Sequence, residues 1–309
     1  MAALSPDERR RIALTTAVRD TDAIPKVAAA GTVAERDGHR VQVMHNGVVV
    51  VEGCYYGEWM TEIIRRLRGH HEQQEEVVFH AVVRQVAAGG VMVELGSFWS
   101  YYSLWFAQVI SDARTLMVEP DPRNLEVGRL NFQLNGRTGE FLRAAVGREH
   151  GAMDWFRTES DGRLRRTRMV TLEGLLDDHG IERADLVLCD AQGGELALLQ
   201  EAGVALAAGR VRFLLVSTHH HSISGDPLTH QRCLALLQEA GAHLVAEHSV
   251  AESCSGDGLI AAAFDAADAE CTVLVTRVRA RDSLFGELEH DLARAMRIPD
   301  LPSEPAPGP

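Results

Sequence analysis

From residue 91 onward the chain alternates short apolar runs with helical patterns, and this rhythm constrains the fold more than any other feature. "VMVEL", "TLMVEP", "EFLRAAVG", "DLVLCDA", "RFLLVST", "AHLVAEHS" and "LIAAAF" are the apolar runs. Between them lie "YYSLWFAQVI", "NLEVGRLNFQLNG", "VTLEGLLDDHG", "GELALLQEAGVAL" and "PLTHQRCLALLQEAG". A strand that is apolar at nearly every position is buried on both sides. Strands of that kind separated by helices build a parallel sheet covered on both faces. Ligands of such open sheets bind beyond the carboxyl ends of the strands. Attention therefore falls on residues 94–100, Glu119, 145–147, 190–195 and Ser217 onward.

The segment before this has a different texture. Residues 39–53, rich in valine, predict short strands turning at Asn46-Gly47. Residues 58–87 read as a helix that Gly69 breaks in two, with Met60, Ile63, Ile64 and Leu67 on one apolar face. The expected organisation is an N-terminal α+β lid or substrate region over 1–90 and a sheet domain over 91–270. A strand-helix extension follows over 271–297, then a disordered, proline-rich tail over 298–309. The extension could add to the sheet, cover the lid or pair with a second subunit, so a homo-oligomer is compatible with it.

A net charge of −13 argues against partners that need accessible positive surface, nucleic acid and anionic membranes among them. The one basic run, "RLRRTR" at 163–168, is expected to be a solvated loop. Five scattered cysteines form no C-x-x-C pair and suggest neither a disulfide framework nor a thiolate zinc site. With no apolar run of membrane-spanning length and no secretory leader pattern, a cytoplasmic setting is expected.

At the first strand end, Glu94 leads into Gly96 and then a helix. One glycine stands where a dinucleotide fingerprint needs three, which disfavours a nicotinamide cofactor. A smaller nucleoside ligand would tolerate Ser100 there. Glu119, at the next strand end, is placed to accept hydrogen bonds from ribose hydroxyls.

Four motifs then occur in order. "VELGSFWSYYSL" resembles D-x-G-A-N-x-G-Y-Y, and "VEPDPRNLEVGRLNFQLNG" resembles E-P-x-P…N-x-x-x-N. "RMVTLEGLL" resembles V-T-L-D-x-L, and "LVLCDAQGGELALLQEAG" resembles I-K-I-D-V-E-G-x-E-x-x-x-L-x-G. Together, over about 91–264, they are similar to the FkbM family of S-adenosylmethionine-dependent methyltransferases. The resemblance implies an α/β, Rossmann-like fold with a mostly parallel seven-stranded sheet. It also implies S-adenosylmethionine as cofactor, held by Glu94, Gly96, Ser97, Ser100, Glu119, Pro120, Ala145 and Val146. In that arrangement Gly96 would face the methionine part, Glu119 the ribose, and residues 145–147 the adenine. Glu94 departs from the family's aspartate, and Ser100 from the last glycine of its loop.

By position, Asp190 matches the aspartate of the family's D-V-E-G, and His219 the histidine of its E-V-H. Gln192 and Ser217 stand where those motifs carry glutamates, which weakens an all-oxygen magnesium site. Three roles stay open for the run His219, His220, His221. One is a general base formed by His219 or His221 with Asp190. Another is a divalent metal bound by Asp190, His219, His221 and Glu195. The third is a structural or substrate-positioning role. On an extended segment His219 and His221 would share one side and His220 the other. Asp226 reads as a helix N-cap, and His230 could reach back toward the crevice. In "GHHEQQEE", His71 and Glu75 could form a metal half-site, although a solvated helical face is favoured. Tyr55, Tyr56 and Trp59 are expected to form a lid. The resulting expectation is an O-methyltransferase acting on a hydroxyl of a sugar or secondary metabolite. The rivals are a metal-dependent enzyme of another class and a non-catalytic module that binds S-adenosylmethionine.

Overall fold

The computed structural model describes residues 4–278. Helix α1 (Pro6–Thr15) starts on a capping box, in which the Ser5 hydroxyl accepts from the Glu8 amide and Glu8 accepts from the Ser5 amide. An antiparallel meander follows, β1 (Val33–Arg36), β2 (His39–Val43) and β3 (Val49–Val51). Helices α2 (Glu58–Arg66) and α3 (Gln73–Val83) are separated near Gly69. Any side chain at Gly69 would collide with the His45 backbone, which explains the break.

The repeating part then runs β4 (Val91–Leu95), α4 (Tyr101–Val109), β5 (Arg114–Val118), α5 (Pro122–Leu134) and β6 (Glu140–Leu142). A small three-stranded sheet intervenes, made of β7 (Ala145–Val146), β8 (Met153–Arg157) and β9 (Leu164–Val170) in the order β7-β9-β8. The main sheet resumes through α6 (Leu172–Asp178), β10 (Ala184–Cys189), α7 (Glu195–Glu201), α8 (Gly203–Ala207) and β11 (Val211–Thr218). It ends with α9 (His221–Ser224), α10 (Thr229–Glu239), β12 (His243–His248) and β13 (Gly258–Ala263). The seven strands lie in the order β12-β13-β11-β10-β4-β5-β6. β13 alone runs antiparallel to its neighbours, so the sheet is mostly parallel. This is the Rossmann-like α/β architecture expected from the sequence.

Alternating side chains of each central strand feed two cores. Leu186, Leu188, Phe213 and Leu215 pack on the face covered by α2, α3 and α4. Val187, Cys189, Leu214 and Val216 pack on the opposite face, under α6, α7 and α10. Burying one such phenylalanine or leucine contributes roughly 1.5–3 kcal/mol. Ile12, Ile24, Met44, Met60 and Ile63 of the N-terminal segment belong to the first of these cores. That segment is therefore built onto the sheet domain rather than folded apart from it.

Several local expectations change. The basic run 163–168 is not a loop, because most of it forms β9, paired antiparallel to β8. Residues 271–278 form no strand; they run alongside β12, tied to it by Val273 N–H on the Val245 carbonyl and by the Arg277 guanidinium on Glu247. Helix α1 and strand β1 carry no apolar periodicity, and the sequence reading passed over both. The helix expected over 282–297 and the tail lie outside the described residues. Among the described residues no helix is long and apolar enough to cross a membrane.

Candidate active site

Gly96 follows β4 with φ +81°, and a Cβ there would stand 1.8 Å from the Asp190 carbonyl oxygen. The glycine is thus required by its neighbour strand, since Asp190 N–H binds the Leu95 carbonyl at 2.8 Å and draws the two strand ends together. Beyond these ends lies a cavity of about 520 Å³. Gly96, Glu119, Pro120, Ala145, Val146 and Asp190 line it, joined by Tyr55, Tyr56, Phe98 and Asp121. The β8–β9 hairpin closes one side with Phe156, Arg157, Thr158, Glu159 and Gly162.

Glu119 is fixed by two backbone donors, Phe98 N–H to Oε2 at 2.9 Å and Asp121 N–H to Oε1 at 2.8 Å. Each oxygen keeps lone pairs for a diol. Burial outweighs those two bonds and pushes its pKa up to about 7. The donor set and the size of the cavity suit a nucleoside without a phosphate chain.

Three expected cofactor residues lie elsewhere. Glu94 is buried with its pKa raised by that burial to about 8, and Oε2 accepts from Ser103 N–H in the first turn of α4. Ser97 and Ser100 are buried behind the turn rather than on the cavity. Ser100 keeps the left-handed conformation, φ +58°, that a glycine would adopt without strain. Its hydroxyl fills the space against Gly128, where a Cβ would meet it at 2.3 Å.

At the neighbouring strand end, His219 is almost fully buried and enclosed by carboxylates. Nδ1 is 2.8 Å from Glu195 Oε1, while Nε2 is 3.1 Å from Asp190 Oδ1 and 3.7 Å from Asp257 Oδ1. Glu195 Oε1 also accepts from Ala191 N–H and Gly193 N–H, which fixes the ring from behind. Burial opposes a charge on His219, but Asp257, Asp190 and Glu195 outweigh it and hold the pKa well above the usual imidazole value. His219 therefore carries its proton firmly.

The strand ends at Thr218, so the alternation expected of the three histidines does not hold. His220 is the N-cap of α9, and its ring lies 4.0 Å from that of His221. His230 does not reach the crevice; it ties Thr218 Oγ1 (2.7 Å) to Glu247 Oε1 (2.9 Å). Asp226 caps the turn before α10 by accepting from Leu228 N–H, and Leu228 is the helix N-cap.

A second cavity of about 390 Å³ adjoins the first and shares Tyr55, Tyr56, Glu159 and Gln192 with it. Helix α1 lines it with Asp7, Glu8 and Arg11; Trp59, His71, Glu72 and Asp257 complete much of the wall. The "GHHEQQEE" run is not a solvated face. His70, His71, Gln73, Gln74, Glu75 and Glu76 are all buried, and helix α3 begins only at Gln73, so His71 and Glu75 do not share a helical face. Glu76 sits between His70 and His71, which hold its pKa well below the usual range despite its burial. Glu75 instead accepts from the Ser217 hydroxyl at 2.5 Å. A carboxylate from α3 thus stands beside the strand end at which the sequence lacks one.

Neither candidate metal set converges as it stands. The two nitrogens of His219 face carboxylates on opposite sides of the ring, so Asp190 and Glu195 cannot share one ion with it. His45, His70 and Glu76 bring ligand atoms within 4.8 Å of one another. The two rings are stacked at 4.2 Å and 16°, however, and in-plane lone pairs of parallel rings do not meet at a point. Asp257 was missed in the sequence, because "CSGDGL" reads as an ordinary turn. The hairpin residues were missed too, because nothing in their composition points to a ligand.

A family model described as a methyltransferase FkbM domain matches residues 82–244, more than half of the chain. No curated protein sequence matches the chain. Among solved structures it is similar to the N-terminal domain of human METTL16, at 16% identity and a TM-score of 0.40, over 62% of this chain and 69% of that one. It is also similar to a SAM-dependent methyltransferase from Aquifex aeolicus, at 9% identity and a TM-score of 0.38, over 63% of this chain and 90% of that one. From its four ordered motifs, its strand order and the span of the matching model, the chain belongs to the FkbM family of S-adenosylmethionine-dependent methyltransferases.

Proposed function

We propose that the protein transfers a methyl group from S-adenosylmethionine to a hydroxyl of a sugar or secondary metabolite. The observation that carries this reading is the pair of adjoining cavities, with one nitrogen of His219 facing both the carboxylate of one, Asp190, and the carboxylate of the other, Asp257. The cofactor, when bound, supplies an electrophilic methyl group on a sulfonium. Gly96, Glu119, Pro120, Ala145 and Val146 would hold it, with Glu119 on the ribose. Holding donor and acceptor in line can supply ~7–11 kcal/mol of the barrier.

The acceptor hydroxyl must also lose its proton. A histidine base was the sequence expectation, but an imidazole flanked by three carboxylates keeps its own proton. Asp257 takes that role in this proposal, since burial raises its pKa to about 6 and it faces the second cavity. His219, held from behind by Glu195, faces it with its Nε2 at 3.7 Å, and His221 opens α9 two residues further on. No metal step is included, because Asp190 and Glu195 face different nitrogens of the His219 ring.

Transfer of radiolabelled methyl from S-adenosylmethionine to a panel of hydroxylated small molecules tests the reading. In parallel, Glu119→Ala is expected to weaken cofactor binding about 10–100-fold, the loss of one or two charge-assisted hydrogen bonds. Calorimetric titration that finds no binding to the unaltered protein would sink the proposal.

A further inference from the structure

The second cavity is chemically lopsided. Asp7, Glu8, Glu72, Glu159 and Asp257 line it against one arginine, Arg11, whose guanidinium is 3.1 Å from Asp7. Two of those carboxylates are presented by aromatic hydroxyls rather than by cations. Tyr55 donates to Glu72 Oε1 and Tyr56 donates to Glu159 Oε1, each at 3.1 Å. The rings of Tyr55 and Tyr56 lie 4.6 Å apart, and Trp59 stacks near Tyr56. Carboxylates set among aromatic faces form an environment suited to an organic cation.

A second feature points to a ligand. His71 is 1% exposed yet lines the cavity, and its Nε2 is 3.9 Å from Glu72 Oε2, beyond hydrogen-bond reach. Glu76 holds the other ring nitrogen at 2.5 Å, so the ring is fixed with one polar atom unused beside the acidic wall. The nitrogen left over borders the cavity and is open to a ligand there.

Resting on the methyltransferase reading above, we propose that the acceptor is a hydroxylated amine, an amino sugar or amino alcohol in chemical class. Glu159 and Glu72 receive its ammonium between the tyrosine rings, Glu72 releasing to solvent the proton that burial otherwise favours, and His71 meets one of its oxygens. The assignment also bears on which atom is methylated. An amine held as ammonium has no lone pair to attack with, so the hydroxyl beside Asp257 is the nucleophile.

Full-length protein loaded with S-adenosylhomocysteine is titrated calorimetrically with glucosamine and with 2-deoxystreptamine. Their N-acetylated derivatives and glucose serve as neutral counterparts. The amines are expected to bind at least tenfold tighter than the counterparts. Glu159→Gln, on the exposed hairpin, and Glu72→Gln in the wall are each expected to remove most of that preference, and Glu72→Gln, which lies outside the cofactor cavity, is expected to do so with S-adenosylhomocysteine affinity unchanged. Equal binding of amines and neutral counterparts, or no binding of either by protein that binds S-adenosylhomocysteine, overturns the amine assignment and leaves the methyltransferase reading standing. A preference that survives Glu159→Gln overturns it as well. Failure of the protein to bind S-adenosylhomocysteine is a separate result, and it removes the reading on which the assignment rests.

Discussion

At the scale of single residues, Gly96 and Asp257 make the sharpest claims. Gly96→Ala places a methyl group 1.8 Å from the Asp190 carbonyl and holds an L-residue at φ +81°. The strand ends must separate, so the substitution is expected to lower the melting temperature by several degrees. It should also weaken S-adenosylmethionine binding at least tenfold, as read by thermal melts and calorimetry. For Asp257→Asn, kcat is expected to fall by about 10²–10⁴ with cofactor affinity unchanged. In the unaltered enzyme the carboxylate must be ionised to accept a proton. Activity should therefore rise with pH through about 6, the value set by burial and by the nearby Asp190 and Glu195 against the opposing charge of His219. A flat profile from pH 5 to 8 would remove Asp257 from the mechanism. Gly96 was legible in the sequence because a strand, a glycine and a helix in succession define a sheet-end turn. Asp257 was not, because it enters the site only through the antiparallel return of β13, a pairing that no local pattern announces.

At the scale of elements, helix α3 carries buried acids where a surface helix would carry solvated ones. Burial pushes Glu72 and Glu75 up to about 8, and Glu94 of β4 to the same value. The unfolded chain releases these protons near 4.5, so between 4.5 and 8 the native state holds more protons and loses stability as pH rises. Each group contributes up to about 1.4 kcal/mol per pH unit in that window. Thermal melts from pH 6 to 9 should show a falling melting temperature, and Glu94→Gln should flatten the fall. A melting temperature that climbs over this range would contradict the burial of these acids. The sequence misled here for a physical reason. "HHEQQEE" looks solvated because charge usually is, and only the pairing of Glu76 with His70 and His71 and the hydroxyl of Ser217, brought by β11, make burial tolerable. Strands β4, β5, β10 and β11 were readable because a strand buried on both faces must be apolar throughout. Strand β9, with Arg165, Arg166 and Arg168 on an exposed hairpin, leaves no such mark.

At the scale of the whole molecule, the N-terminal ninety residues are less a detachable lid than the second half of the site. They share the first core with the sheet and supply Tyr55, Tyr56, Trp59, His71 and Glu72 to the acceptor side. The family motifs fall on the strand ends that line the first cavity. The acceptor side lies mostly in the segment that the family model does not match.

The two cavities have a party wall, Tyr55, Tyr56, Glu159 and Gln192, and this has a kinetic consequence. A molecule seated on one side of that wall sets the positions of the side chains that greet a molecule on the other. Turnover should accordingly follow a compulsory order, cofactor before acceptor. S-adenosylhomocysteine should then inhibit competitively against S-adenosylmethionine and non-competitively against the acceptor. Acceptor that binds the cofactor-free protein with undiminished affinity would mean that the wall is rigid and that each compartment fills without regard to the other.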